Sequence, residues 1–445
     1  MKRFIQTIQN IWKIDDLRQR ILYTLALVFI YRVGSYIVLP GVDAVQLESL
    51  GQQSAKGVFG LLDIFAGGAF SRASIFALGI MPYISASIVM QLLTMAIPTF
   101  QKMQKEGESG RRKINQFTRV LTVFITAAQA SGYVVYLKSG LGANLVNDNG
   151  LFWLSSVTIL TAGTIFVMWM GERITDRGIG NGISLLIMIG IIARLPFALI
   201  SEFESRINEG GGAIAFLLEI AVLLGVVVVV IMLVQGTRKI PVQYAKRVVG
   251  NKQYGGVRQY IPLKVNAAGV MPIIFAQALM FIPATIAQFF PDSAAMQGAT
   301  TFTNPGSFWY SFIFTILIVI FTYFYTALIV NPIQMADDMK RNGGFIPGVK
   351  PGRQTANFID NVMSRITLPG ALFLAFVAIM PSFARIFGVN TQFANFYGGT
   401  SLLILVGVVL DTLQQIESHL LMRHYDGLMK SGRIKGRTQG VQVSS

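Results

Sequence analysis

The sequence predicts an all-α integral membrane protein with ten transmembrane helices. Only 13% of the 445 residues are charged, whereas 53% are hydrophobic and the mean hydropathy is +0.57. The charged share is about half that of a typical soluble protein, so the chain has too few charges to cover a soluble surface of this size. Ten stretches are apolar enough to cross a bilayer, and basic residues are unevenly distributed between them.

Each predicted helix is a run of mainly apolar residues close to the length of about 20 that a bilayer requires. The first run is too long for a signal-peptide core and has no cleavage pattern, so we interpret it as a retained helix. Before it, residues 1–20 carry apolar side chains at helical spacing, which predicts an amphipathic helix on the membrane surface. Residues 423–445 form a polar tail. The ten predicted spans are 21–39, 74–97, 118–137, 151–171, 180–200, 213–235, 267–290, 307–331, 366–387 and 398–420.

The basic residues predict the orientation of the chain. There are 37 Lys and Arg against 21 Asp and Glu, a net charge of +16. Thirty of the 37 are assigned to alternate segments and six to the opposite side, including Arg194 and Arg385 towards the ends of their spans; Arg32 lies in the first span. Because Lys and Arg are retained on the cytoplasmic side, this separation places both termini in the cytoplasm and supports an even number of spans.

Two of the basic segments, 236–266 and 332–365, are long cytoplasmic loops. The first has seven basic residues and no acidic one. Charge that orients the helices would explain the sign alone. A docking surface for an acidic or RNA-containing cytosolic partner would explain both the sign and the length.

Residues suited to catalysis are scarce. The sequence has no cysteine, only His419 and His424, and none of the common metalloprotease, nucleotide-binding or serine-hydrolase motifs. We therefore expect no enzyme activity, no metal and no cofactor. We single out four ionisable residues inside the predicted spans, namely Arg32, Glu219, Asp411 and Glu417. Such residues are functional candidates, although Glu219 and Glu417 also fit the membrane interface at helix ends.

Segment 58–72 is apolar but too short to cross the membrane. It contains Asp63, Arg72 and the pair Gly67-Gly68. Short segments at membrane depth are tolerated when they are buried in protein or line a cavity. The segment is thus either a re-entrant element that fills an outer vestibule or a loop that rests on the membrane.

The second and fifth spans share a pattern of small residues followed by isoleucines one helical turn apart. Ile80 and Ile84 recur around Pro82, which we expect to interrupt the helix, and Ile183 and Ile187 follow a glycine-rich entry. Two tightly packed core helices would show this pattern. So would two walls of a pore whose narrowest point is lined by isoleucine.

At these residues the chain resembles the SecY family, the central channel subunits of the bacterial Sec protein translocase. The resemblance covers nearly the whole length. The blocks that carry it are Ala73–Leu93, Lys105–Lys113, Trp169–Leu185, Tyr323–Leu328 with Asn331-Pro332, and Phe396–Ser401.

The resemblance implies two inverted five-helix halves, residues 21–205 and 206–422, around an hourglass pore. It implies a lateral gate between the second and seventh helices, through which hydrophobic segments reach the membrane lipids. The implied pore ring is Ile80, Ile84, Ile183, Ile187, Ile274 and Ile404. The implied plug includes Val58, Phe59, Leu62, Asp63, Phe65, Gly67, Gly68 and Arg72. The implied gate residues are Ser85, Gln91 and Ile282.

The resemblance also implies partners. The substrate would be an unfolded preprotein or a signal sequence, and the two cytoplasmic loops would receive the ribosome or the ATPase motor SecA. The smaller subunits SecE and SecG would complete the channel. A contact arginine is usual where this chain has Lys350, which keeps the charge but loses the bidentate geometry. The basic residues expected at the docking surface are Arg238, Lys239, Lys246, Arg247, Lys252, Arg258, Lys350 and Arg353.

The main alternative is an ion-coupled secondary transporter that uses Asp411 and Arg32. A specific solute site would need more polar groups at mid-depth than the spans supply. An intramembrane hydrolase is disfavoured because the spans contain no pair of a nucleophile and a base.

Overall fold

Long helices make up most of the chain, and each of the ten predicted spans overlaps one of them. The computed structural model describes residues 12, 14–42, 58–141, 150–209, 212–244, 247–249, 252–254, 258–289 and 307–431. The predicted surface helix lies largely outside the described residues, as do Lys246 and the end of the tail. The helices are α1 (Asp15–Gly34), α2 (Val58–Phe65), α3 (Met81–Ala96), α4 (Pro98–Lys105), α5 (Glu108–Leu141), α6 (Gly150–Arg177), α7 (Gly182–Glu209), α8 (Gly212–Gln235), α9 (Met271–Phe289), α10 (Phe308–Ile329), α11 (Pro332–Arg341), α12 (Arg353–Ile386), α13 (Thr391–Ala394) and α14 (Gly399–Ser431).

Seven helices in the described part of the chain are long and apolar enough to span a bilayer. The pair α3 and α4, bent by 98° at Pro98, gives an eighth candidate. The other two predicted spans are not in this count. Helix α1 contains five charged residues, and the apolar part of α9 is shorter, Met271–Met280. Large apolar side chains are exposed on the outer surface of the helices. Leu217 and Leu218 of α8, for example, are 64% and 65% exposed, as expected for side chains that face lipid. The protein is a multi-pass membrane protein, which is consistent with the predicted ten helices.

The start of the second span differs from its prediction. Residues 66–80 form turns, because Gly67, Gly68 and Gly79 adopt positive φ angles that end one helix and prevent the next from starting. Helix α3 therefore begins at Met81. Pro82 lies in its first turn, where a missing backbone N–H costs little, so this proline starts the helix instead of interrupting it.

The glycine-rich entry of the fifth span is confirmed. Gly180 has φ +79°, and the Asn181 side chain accepts hydrogen bonds from the backbone N–H groups of Ile183 and Ser184, at 3.1 and 3.3 Å. This cap begins α7 immediately after the turn. A Cβ atom on Gly182 would lie 2.1 Å from the Gly171 carbonyl oxygen, so glycine allows α6 and α7 to touch at the turn.

Packing links the two halves of the chain on two sides. On one side, α9 contacts α3 and α5; on the other, α14 contacts α7. Helices α9 and α14 also touch each other. One hydrophobic core contains buried residues from both halves, and a second core lies around the turns 66–80 and helices α5 and α6.

The two long basic loops contain strands that apolar periodicity did not predict. The strands are β1 (Thr237–Tyr244), β2 (Arg247–Val249), β3 (Lys252–Tyr254), β4 (Arg258–Lys264) and β5 (Gly344–Phe345). Strand β1 pairs antiparallel with β4, from Thr237 opposite Lys264 to Gln243 opposite Arg258, and its other edge pairs with β5. Ile240 and Val242 alternate inward and pack on Ile346 and Met363. The two loops therefore share one small domain.

Candidate pore, plug and gate

Helix α2 and the following turns pack against α7, and two glycines permit the approach. A Cβ atom on Gly67 would lie 2.9 Å from the Gly190 Cα atom, and a Cβ atom on Gly190 would lie 2.5 Å from the Phe65 carbonyl oxygen. Phe65 and residues 69–71 are buried. Of the two interpretations of segment 58–72, the structure favours a re-entrant element buried in protein over a loop on the membrane surface.

Asp63 is the polar centre of this segment. Its carboxylate accepts a hydrogen bond from the Ser71 backbone N–H at 2.8 Å and forms an ion pair with Arg194 of α7. The Arg194 guanidinium also donates to the Ser71 hydroxyl at 2.8 Å. The Asp63 side chain is 11% exposed and that of Arg194 is 24% exposed. A charge pair so deep is expensive to break on one side only, so it fixes the segment to α7.

Further contacts hold the turns from the other flank. Arg32 of α1 donates to the Gly67 carbonyl oxygen at 2.8 Å, and the Tyr133 hydroxyl of α5 donates to the Phe70 carbonyl oxygen at 2.7 Å. The guanidinium of Arg72 stacks over the Tyr36 ring, 4.1 Å from its centroid. Burial lowers the pKa of Arg72, and Tyr36 opposes that shift. Three helices thus restrain the predicted plug; the side chains of Val58, Phe59 and Leu62 lie outside the described part.

All six predicted ring isoleucines belong to the same hydrophobic core. Ile80, Ile84, Ile187 and Ile404 are buried, while Ile183 and Ile274 are half-buried against that core. Ile80 caps α3, and its carbonyl oxygen accepts the Ile84 N–H, so these two residues are one turn apart as expected. The helices that carry the six residues are neighbours in the order α3, α9, α14, α7. Whether the six side chains line a pore stays a prediction.

The predicted gate lies at a direct contact between the halves, α3 against α9. Gln91 of α3 accepts a hydrogen bond from the Tyr325 hydroxyl of α10, and the Tyr325 ring packs edge-on against Phe275 of α9, with 4.7 Å between centroids. Ser85 is half-buried on α3. The Ile282 side chain lies outside the described part of the chain. A polar bond across an otherwise apolar seam is therefore available to hold the two halves together.

The predicted docking residues that are described lie at the surface of the small domain. Four of these residues are exposed: Arg238 and Lys239 of β1, Lys350 just before α12, and Arg353 at the start of α12. The pairing of Gln243 with Phe345 joins the two loops that carry them. Three further docking residues lie on strands, but their side chains lie outside the described part of the structure: Arg247, Lys252 and Arg258.

Arg194 is the site residue that the sequence interpretation overlooked. It lies inside the fifth predicted span and should have been included with the other intramembrane charges. Glu219, which the sequence leaves as either a functional candidate or an interfacial residue at a helix end, is buried and paired with Arg206. Asp411 and Glu417 are exposed on α14, whereas Arg32 donates to the Gly67 carbonyl oxygen of the predicted plug, which gives no support to a transporter site.

Comparisons with known proteins agree with this architecture. A family model for SecY matches residues 74–413. The protein translocase subunit SecY of Streptomyces scabiei is 46% identical over 94% of this chain and 98% of its own length. That of Mycobacterium tuberculosis is 42% identical over 97% and 100%.

Solved channel structures have the same fold. The structure of a protein-conducting channel aligns with a TM-score of 0.67 at 18% identity, covering 94% of this chain and 95% of that one. Sec61 in a canine ribosome–channel complex aligns with a TM-score of 0.62 at 17% identity, with the same coverage. At such low sequence identities the solved structures support the fold alone. The family model and the sequence relatives identify the family. The chain belongs to the SecY family of protein translocase subunits, which are membrane channels and not enzymes.

Proposed function

We propose that the chain conducts unfolded polypeptides across the bacterial cytoplasmic membrane and releases hydrophobic segments sideways into the lipid. The observation that supports the proposal is that all six isoleucines, on four neighbouring helices, belong to one hydrophobic core, with the plug segment packed against α7. Aliphatic side chains form no residue-specific hydrogen bonds. A ring of them can close around any extended chain and exclude water and ions when empty.

The lateral gate would lie between α3 and α9, where the two halves touch. When it opens, a passing segment samples the hydrocarbon. Each Leu, Ile, Phe or Val at the centre of a helix then gains about 0.3–0.6 kcal/mol, whereas each Asp, Lys or Arg costs about 2.5–3.5 kcal/mol. Summed over about 20 residues, these energies decide between insertion and translocation. Neither outcome requires a catalytic side chain.

The basic residues support the orientation and the partners. With both termini in the cytoplasm, the small domain of β1, β4, β5 and α11 faces the cytosol, together with the exposed Arg238, Lys239, Lys350 and Arg353. A ribosome or SecA would dock there. SecE and SecG would complete the assembly around the two halves, residues 21–205 and 206–422, and an hourglass passage would run between them.

The absence of native cysteine allows a direct test. Single cysteines in place of Ile80 and Ile274 should both crosslink to a stalled, partly translocated polypeptide that carries one reactive cysteine. A cysteine in place of Leu217, which is 64% exposed on α8, is the matched control and should not crosslink. If both pore positions fail while the chain remains stalled in the membrane, or if the control reacts equally, the proposed pore is wrong.

A further inference from the structure

A small polar cavity of about 30 Å³ lies among α9, α10, α12 and the start of α14. It is at the end of α12 that is away from the strands, and none of the described residues that line it is acidic. A cavity of this size has room for a water molecule or a monoatomic ion. Its occupant is therefore selected by the polar groups around it.

Arg385, in the last turn of α12, gives the cavity a positive charge. Its Nη2 atom donates to the Asn395 side-chain oxygen at 3.0 Å, whereas its Nε atom is enclosed, so an occupant would meet the Nη side of the guanidinium. Arg194 and Arg206 each pair with a carboxylate, but no described carboxylate forms an ion pair with Arg385. Charged side chains within membrane spans are almost always paired, so this charge lacks the usual compensation.

Two hydroxyl groups at the cavity also lack a partner. Thr400 and Ser401, in the first turn of α14, line the cavity and are only 3% and 2% exposed. Neither hydroxyl forms a hydrogen bond within the described part of the chain, and neither is closed off from a water-sized particle. By contrast, the buried Thr367 donates to the Met363 carbonyl oxygen at 2.8 Å. Buried hydroxyls without a partner are costly, so we expect them to bind the occupant.

The groups that converge on the cavity are suited to an anion. The guanidinium and both hydroxyls can donate hydrogen bonds, and the first turn of α14 adds free backbone N–H groups at the positive end of the helix dipole. A water molecule would satisfy the hydroxyls but would leave the charge of Arg385 uncompensated. A small anion would satisfy the hydroxyls and balance the charge.

We propose that this cavity binds a halide ion, which in the cell would be chloride. The ion accepts hydrogen bonds from the hydroxyls of Thr400 and Ser401 and balances the charge of Arg385. It connects the end of α12 to the start of α14, the helix that carries Ile404. The site is separate from the predicted pore and from the docking surface, and it would stand if either of those assignments failed.

Bromide provides a direct test, because it is a halide that can be located by its anomalous scattering. Crystals of the purified translocase complex would be equilibrated with millimolar sodium bromide and measured at the bromine absorption edge. We expect an anomalous peak within hydrogen-bond distance of the Thr400 and Ser401 hydroxyls. Density without an anomalous signal would identify water and overturn the proposal. A peak that appears only at molar bromide would indicate an adventitious ion only, which would also overturn it.

Thermal unfolding of the same complex measures the affinity in solution. Sodium chloride should raise the unfolding midpoint in a saturable way when it replaces sodium gluconate at constant ionic strength. T400V keeps the shape of the side chain and removes the hydroxyl, so it should weaken the apparent chloride affinity about tenfold, because a hydrogen bond to a charged group is lost. R385Q should abolish the chloride effect.

T367V is the matched control, because Thr367 is equally buried but its hydroxyl is bonded within α12 and does not line the cavity. It should keep the chloride affinity of the wild type. If R385Q does not assemble, the bromide peak and T400V still decide. Equal midpoints in chloride and gluconate, stabilisation by sulfate as large as that by chloride, or a loss of affinity in T367V equal to that in T400V would each overturn the proposal.

Discussion

Asp63 and Arg194 connect the plug segment to α7 through a pair of charges that water barely reaches. Arg194 also donates to the Ser71 hydroxyl, so it contacts the segment at both Asp63 and Ser71. In water such a pair would contribute little, but after burial the removal of one partner leaves the other without compensation. The closed position of the segment is thus held by polar contacts at its centre, in addition to apolar packing around it.

We expect Asp63→Asn to destabilise the closed plug by about 1–3 kcal/mol, between the values for exposed and for fully buried ion pairs, because Arg194 keeps some access to solvent. The resting channel should then leak ions several-fold more than the wild type in planar bilayers. Asp16→Asn, which removes an exposed ion pair with Arg20, is the matched control and should not leak. Unchanged conductance in Asp63→Asn would mean that apolar packing alone retains the plug.

Single residues were only partly predictable from the sequence. The predicted ring positions Ile80, Ile84, Ile183 and Ile187 stand out because a repeated four-residue spacing places side chains on one face. The partner of Asp63 does not stand out, because 131 residues separate it from Arg194 and no local pattern joins them. The buried state of Glu219 depends in the same way on Arg206, which belongs to another helix.

At the scale of elements, the contact of α3 with α9 and α10 combines apolar packing with one polar bond. The Tyr325 hydroxyl donates to Gln91 across the boundary between the halves, while the Tyr325 ring remains against Phe275. The bond exists only while the halves are together. It therefore favours the closed gate by about the 0.5–1.5 kcal/mol that a hydrogen bond contributes.

Tyr325→Phe should lower the hydrophobicity that a segment needs to enter the lipid. The change keeps the ring contact and removes the hydroxyl, and its expected effect equals roughly one to three leucines on the insertion scale. An insertion assay with a series of Leu and Ala segments would measure the threshold. Tyr323→Phe is the control, because Tyr323 is on the same helix but 38% exposed. A threshold that is unchanged or raised in Tyr325→Phe would contradict the role of the bond.

The apolar helices in the described part of the chain were predictable because a bilayer requires one long apolar run for each crossing, which is a local property of the sequence. Their ends were not. The turns at 66–80 depend on three glycines with positive φ angles, in a segment whose apolar content resembles that of a helix. Strand β5 was missed because it is only two residues long and pairs with β1 across a wide gap in sequence, so it leaves no periodic signal within its own loop.

At the scale of the whole molecule, the three-stranded sheet converts two separate loops into one rigid surface. The pairing of β1 with β5 and the shared core beneath them fix Lys239 and Lys350 on the same domain. Helix α8 enters this domain directly, and α12 leaves it. A partner that binds the surface is therefore mechanically connected to the C-terminal half of the channel.

Charge reversal on this surface should weaken ribosome binding, and changing both loops should weaken it more than changing one. We expect Lys239→Glu and Lys350→Glu each to reduce ribosome binding several-fold, and the double variant to reduce it by the product of the two effects, because both lysines would meet one polyanionic partner. Co-sedimentation with ribosomes at increasing salt would measure this. The differences should shrink as salt screens exposed charges beyond about 8 Å at physiological ionic strength.

Lys102→Glu provides the control for this experiment, because Lys102 is exposed on α4, outside the sheet, and carries the same charge. It should leave ribosome binding close to that of the wild type. A loss of binding in Lys102→Glu as large as in the sheet variants would show that net charge, and not this surface, attracts the partner. Full binding by the double variant would remove the sheet from the docking site, and the strands would then serve only to brace α8 against α12.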